Sequence, residues 1–339
     1  MLSSSGLIAS PTSPSPARSS SSKGKLLLII LVVVFGLSEL FCRYVVGLGD
    51  PPLYQTDAST EYVLQPSKTY YRFHNRFSVN RYSMRADDFP PQKANPTELR
   101  VLVVGDSVVY GGVRIDQSGI ATEILKMDLQ KRFGRPVFVG NGSAKGWGPP
   151  NELAYLKRHG TLDADIVILE LSSHDYADAP AFIPVVGISA DFPDKKPLLA
   201  LTDLFKTYLL PRYLHLGKTP VGVDRSFIPA PSERDVAKCR AAEKEFFTFA
   251  REHRAKAVLV QHLSQPELEG GYQAGYYANQ AVAKEENVPY VDDADELRAK
   301  FKSGEAPFFA GDPIHLNRSG QAVLAHKLQQ AVDLALKSN

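Results

Sequence analysis

The sequence predicts an α/β fold: a parallel sheet covered on both faces by helices, set behind one membrane-spanning helix. Short apolar runs at residues 101–104, 137–139, 166–171 and 257–260, with a weaker one at 288–291, read as strands. Amphipathic stretches at 119–133, 150–159, 234–253 and 272–286 lie between them, and 318–336 supplies a last helix. Strands buried on both faces read as unbroken apolar runs, and helices between such strands make right-handed crossovers. The third observation is an apolar block near the N-terminus.

Residues 1–22 are rich in Ser and Pro and lack an apolar set, so they are expected to be disordered. The span follows at 23–48. Residues 26–37 are wholly apolar, with Ser38, Glu39 and Arg43 the strong interruptions after them. As a helix, residues 26–48 would rise roughly 35 Å, enough for a bilayer core of about 30 Å. Glu39 and Arg43 are spaced to pair on one helix face. A signal peptide is the competing reading, but no small-residue cleavage site follows the run, and Phe41 before Cys42 argues against a lipobox. An uncleaved signal anchor is therefore expected. Arg18, Lys23 and Lys25 precede it, which places the N-terminus in the cytoplasm and the rest in the periplasm or outside the cell.

Residues 49–97 are polar, aromatic and Pro-bearing, a connector expected to lie against the domain as short strands or an extended arm. Its Arg72, Arg76, Arg81 and Arg85 read as a solvated or locally paired face before they read as an anion site. The domain proper spans 98–339, with an aromatic, Pro-rich insertion at about 176–232 that would suit a lid or substrate wall. The 339 residues are enough for a sizeable core, and a net charge of +2 gives no sign of a nucleic-acid partner. Cys42 and Cys239 make neither a disulfide framework nor a metal set, and the sequence calls for no cofactor.

The informative stretch is "RVLVVGDSVVYGG", a strand running into Gly105-Asp106-Ser107. A phosphate cradle fails, because GxGxxG and Gly-Lys-Ser/Thr are both absent and Asp106 puts a carboxylate where phosphate would sit. A helix cap is the plain structural reading. A nucleophilic Ser107 needs a base and an oxyanion site. "GDPIHLNRSG" offers Asp312 and His315 three apart in one Pro-stiffened turn before the final helix. His159, His215, His253 and His326 lack such a neighbour, and His262, at a strand end, is expected to be structural.

Four blocks in this order resemble the GDSL/SGNH hydrolase family: Gly105-Asp106-Ser107, "NGSAKGWG", "ELSSHD" and "GDPIHLNRSG". The similarity covers roughly residues 98–335, insertion excluded. It implies a flavodoxin-like three-layer α/β/α fold and a shallow site acting on esters, lipids, thioesters or O-acetylated carbohydrates. Ser107 matches the nucleophile and, through its N–H, the first oxyanion donor. Gly146 matches the second donor, with Gly142 or Gly148 as alternatives in the same loop. His315 matches the base and Asp312 its orienting acid. The third block departs: Ser172-Ser173-His174-Asp175 places His174 where the family has Asn. An imidazole N–H can donate in its stead, with Ser173 as a fallback.

The expected activity is therefore a membrane-anchored esterase working outside the cytoplasm on an acylated carbohydrate or lipid. Resolution of the acyl-serine by a sugar hydroxyl would make it a polysaccharide O-acetyltransferase. Loss of turnover at His174 would leave a binding or assembly factor. Trp147, Tyr176 and the insertion's aromatics would suit stacking on sugar rings.

Overall fold

The computed structural model describes residues 21–214 and 231–337. Most of the stretch expected to be disordered, and His215, lie outside these residues.

Helix α1 (Ser21–Leu40) runs into one π-helical turn, Phe41–Val46, closed by Gly47. Ser22–Val46 is long and apolar enough to cross a bilayer, with a mean hydropathy of 2.4. Two antiparallel hairpins follow, β1 (Tyr54–Asp57) with β2 (Glu61–Leu64) and β3 (Lys68–Arg72) with β4 (Asn75–Val79). They are not laid loosely on the surface. Tyr54, Tyr62 and Phe77 are buried in the same cluster as Leu102 and Val104 of the central strand.

That strand is β5 (Leu99–Gly105), followed by α2 (Ser107–Tyr110) and α3 (Ala121–Phe133). Next come β6 (Val137–Ser143), α4 (Pro149–His159) and β7 (Ile166–Ser172). The remaining elements are α5 (Ala200–Asp203), α6 (Glu233–Glu252), β8 (Lys256–His262), α7 (Gln265–Gly270), α8 (Ala274–Glu285), β9 (Tyr290–Asp292), α9 (Ala294–Lys302) and α10 (Arg318–Lys337). The sheet is parallel in the order β6-β5-β7-β8-β9, which is the flavodoxin-like order.

Pleating explains the three layers. Val101 and Val103 face one core with α3 and α10, whereas Leu102 and Val104 face the other with α4 and α6. Each strand of the β5–β7 pair is buried along its whole length, so both faces must be covered. The chain reverses direction between β5 and β7, and ligands of such sheets bind at the carboxyl ends beside that reversal. Ser107 and His174 follow those two strands.

The segment expected as a lid goes elsewhere in its described part. Phe192 packs on Tyr54 and Tyr62, Tyr54 donates its N–H to Pro193, and α5 sits against the end of α1. The connector's arginines are locally engaged. Arg72 pairs with Asp203 at 2.6 Å, Arg81 pairs with Asp88, Arg76 bonds Ser78, and Arg85 is fully buried.

A carboxyl group on α6 makes the fold pH-sensitive. Burial pushes Glu243 from its ordinary 4.5 up to about 8, so the folded chain holds it neutral. Stability from this group is complete below pH 4.5 and declines as pH rises towards about 8, because the unfolded chain ionises first. Thermal unfolding should show a lower Tm at about pH 9 than at about pH 5, and Glu243→Gln should recover a few kcal/mol of that loss.

Candidate active site

Gly105 ends β5 where a side chain has no room: a Cβ there would meet the Glu170 carbonyl and carboxyl oxygens at 2.9 Å. The chain then turns at Asp106, whose Oδ1 accepts from the Val108 N–H at 2.6 Å and caps α2. Capping and nucleophile readings are thus divided between adjacent residues. Asp106 is the cap, and Ser107 is the first helical residue.

A helix of four residues leaves its last carbonyls without helical partners. Here each finds one. Gly111 N–H bonds the Ser107 carbonyl, Gln321 Nε2 the Val108 carbonyl, Asn141 Nδ2 the Val109 carbonyl and Arg85 Nη1 the Tyr110 carbonyl. Arg85 also donates to the carbonyls of Gly112 and Ile115, and its guanidinium lies 4.1 Å from the Phe77 ring centroid. The hairpin segment therefore braces the turn that carries Ser107.

His315 reaches that turn from the loop before α10. Its Nε2 lies 3.0 Å from Ser107 Oγ, and its Nδ1 lies 2.8 Å from Asp312 Oδ2. Asp312 Oδ1 accepts from the N–H groups of Ile314 and His315, so one carboxylate fixes both the loop and the imidazole. Burial pushes the Asp312 carboxyl up, but the bonds from His315 and these N–H groups outweigh it and hold it at about 2. Arg114, half-exposed, places Nη2 3.8 Å from Asp312 and lies over the Phe309 ring. The tautomer this geometry favours carries hydrogen on Nδ1 and offers Nε2 to the serine hydroxyl.

Behind the loop is a second His–Asp pair. His262 is fully buried, with Nδ1 2.5 Å from Asp293 Oδ2 and Nε2 3.0 Å from the Ile314 carbonyl. Burial opposes charge on His262, yet Asp293 more than offsets it and raises its pKa. Its expected structural role has a concrete form: the ring bridges Asp293 and the Ile314 carbonyl, and so ties the His315 loop to β8 and β9.

The oxyanion candidates differ in what surrounds them. Gly142 lies inside β6, where a Cβ would meet the Tyr155 ring at 2.5 Å. Gly148 donates its N–H to Asn151 Oδ1 at 3.3 Å. Gly146 occupies an exposed turn with φ +68°, and its N–H, like that of Ser107, bonds no other described residue. Ser173 Oγ accepts from Gln261 Nε2 at 3.2 Å. His174 places Nε2 3.2 Å from Asp175 Oδ1 and 3.7 Å from Asp106 Oδ2. Trp147 is buried, donating to the Tyr62 carbonyl, so it cannot stack on a sugar. Tyr176 borders an open cleft of about 500 Å³ with Val236, Arg240 and Lys244.

Under the turn lies a group of buried acids. Burial first, and the neighbouring Asp106 carboxylate second, push Glu170, Glu152 and Asp175 well above the usual carboxyl range. These three acids are grouped around Asp106. Asp106, His174 and Asp175 are also the one set of side chains, among the described residues, that brings three ligand atoms within 4.8 Å for a metal ion.

Replacing Arg85 with Met should take the donor from three carbonyls, two of them buried, at a cost of about 3 kcal/mol or more. Urea unfolding of Arg85→Met measures it, and a loss under about 1 kcal/mol would mean the turn does not depend on this residue.

No family model and no curated protein matches the sequence. Solved structures with a similar fold include a member of the lipolytic G-D-S-L family from Veillonella parvula, at 12% identity and TM-score 0.41 over 68% of this chain and 97% of that one. An acetylxylan esterase from Geobacillus stearothermophilus aligns at 13% identity and TM-score 0.43, over 69% of this chain and 94% of its own. A two-domain esterase active on acetylated mannans aligns at 13% identity and TM-score 0.45 over 70% of this chain, which spans half of that esterase's length. At TM-scores below 0.5 these likenesses are weak, and the chemistry of the site rests on its own distances. The chain is thus similar in fold to GDSL-type lipolytic and acetyl esterases.

Proposed function

We propose that this chain is a membrane-anchored serine hydrolase that cleaves carboxylic esters outside the cytoplasm. One observation carries the chemistry: the continuous Ser107–His315–Asp312 relay, with contacts of 3.0 and 2.8 Å. His315 Nε2 takes the Ser107 proton as Oγ attacks the ester carbonyl carbon. The developing oxyanion is met by the N–H groups of Ser107 and Gly146. Collapse expels the alcohol, which takes the proton back from His315, and water then cleaves the acyl-serine by the same route. The resemblance gives His174 the place of a third donor, and its Nε2 is turned to Asp175 and Asp106.

The side chain of His315 is 44% exposed, which suits a shallow site open to a bulky acylated carbohydrate or lipid. Retention of the anchor is supported by Glu39, Cys42 and Arg43, which contact α5 as parts of the folded domain. Lys23 and Lys25 before the span support a cytoplasmic N-terminus.

Hydrolysis of a short-chain aryl ester tests the reading. Ser107→Ala and His315→Ala should each lower kcat by about 10³-fold or more, and Asp312→Asn by about 10²- to 10⁴-fold. Unchanged turnover in folded Ser107→Ala would overturn it. Added oligosaccharide that captures the acyl group in place of water would reassign the protein as an O-acyltransferase with the same relay.

A further inference from the structure

We infer that the segment around α5, with Leu198 and Phe205 at its surface, is a second membrane contact embedded in the outer face of the bilayer. The inference rests on the anchor reading above and adds a depth and an orientation to it.

The argument begins with length. From Leu26 to Glu39 a helix rises roughly 20 Å, short of a hydrocarbon core of about 30 Å. Counted from Leu26, where the unbroken apolar run begins, the helix reaches about 30 Å at Val46. Tilt lengthens the path required and strengthens the point. Glu39 therefore lies roughly 10 Å inside the far end of the span.

Yet Glu39 is where the domain is attached. Its two carboxylate oxygens accept from the N–H groups of Ala200 and Leu201 at 2.9 and 3.0 Å. Arg43 pairs with Glu39 at 2.7 Å and donates to the Leu198 carbonyl at 3.1 Å. Cys42, Leu48 and Ala200 close a small core between helix and domain. A segment fastened at that level is carried below the water boundary together with Glu39.

The surface it presents suits that depth. Leu198 is 89% exposed and Phe205 53%, which costs free energy in water, and Tyr44 near the end of the apolar helix is 69% exposed. Lys195 and Lys196 rim the patch, and Lys196 is held by Asp50, which also accepts from the Tyr71 N–H. Apolar residues flanked by cations and tyrosines mark elements lying about 5–10 Å into the headgroup boundary. The patch is rigidly aimed, because Asp203 at the end of α5 is locked to Arg72 and to the Gly49 N–H. Its attachment point, α5, packs against the end of the apolar helix itself, which commits the occupant to lipid.

The only tryptophan, Trp147, is buried, so a tryptophan introduced at the patch reports on it cleanly. The full chain is reconstituted in phosphatidylcholine–phosphatidylglycerol vesicles as Phe205→Trp and, separately, Leu198→Trp. Lipids brominated near the headgroup end of the acyl chains should remove most of the added emission. Bromines near the terminal methyl should remove little, and the parent protein should be unaffected by either. A chain that floats with vesicles but whose added tryptophans remain unquenched and open to acrylamide would overturn the inference while leaving the anchor intact. Tryptophans shielded from both quenchers would overturn it in favour of a protein partner. Failure to float at all would remove anchor and inference together.

Discussion

A helix of four residues cannot hold itself, and the turn that carries Ser107 is such a helix. Its carbonyls are taken up by Gly111, Gln321, Asn141 and Arg85, which come from its own end, the last helix, strand β6 and the segment after the hairpins. Three distant parts of the chain therefore converge on the turn that carries Ser107 before any substrate is considered. Gly105 adds the condition at the other end, since only glycine clears Glu170 as the strand turns. The hairpins that precede the α/β domain thus belong to the architecture of its site.

With the turn held, the remaining constraint is to bring an imidazole to it across 208 residues of sequence. Parallel strands solve this by delivering every strand end to one edge. Asp312 fastens the loop by three hydrogen bonds, and the buried His262–Asp293 pair fastens it from behind. The result sits over a floor of buried acids whose ionisation burial disfavours. Burial disfavours charge on Glu170 and Asp175 there, while Asp106 caps the helix above them.

Much of this was legible beforehand. Each of the five apolar runs became a strand of one sheet, and the amphipathic stretches became its covering helices, because burial on both faces leaves a strong mark on composition. Ser107, Asp312 and His315 could be named because residue types at a strand end and in a short turn carry their own chemistry, and the structure brings these three together. What was missed is polar and buried. Glu170 inside "IVILELS" was a visible signal, a carboxyl in an otherwise apolar strand, and it went unread. Arg85 looked like one of several surface arginines, because spacing does not reveal that four backbone and side-chain acceptors surround it. Asp293 has no pattern at all; its partnership with His262 exists only after β8 and β9 pair. The insertion's course towards the hairpins was equally hidden, since Pro-rich aromatic sequence fixes no direction.

The central claim is that Ser107 is an activated nucleophile, and chemical trapping tests it most directly. The account predicts that a fluorophosphonate forms one covalent adduct per folded chain, mapped by mass spectrometry to the peptide carrying Ser107, and that His315→Ala abolishes it. A folded, full-length protein that stays unlabelled, or one labelled at another serine, would contradict the account.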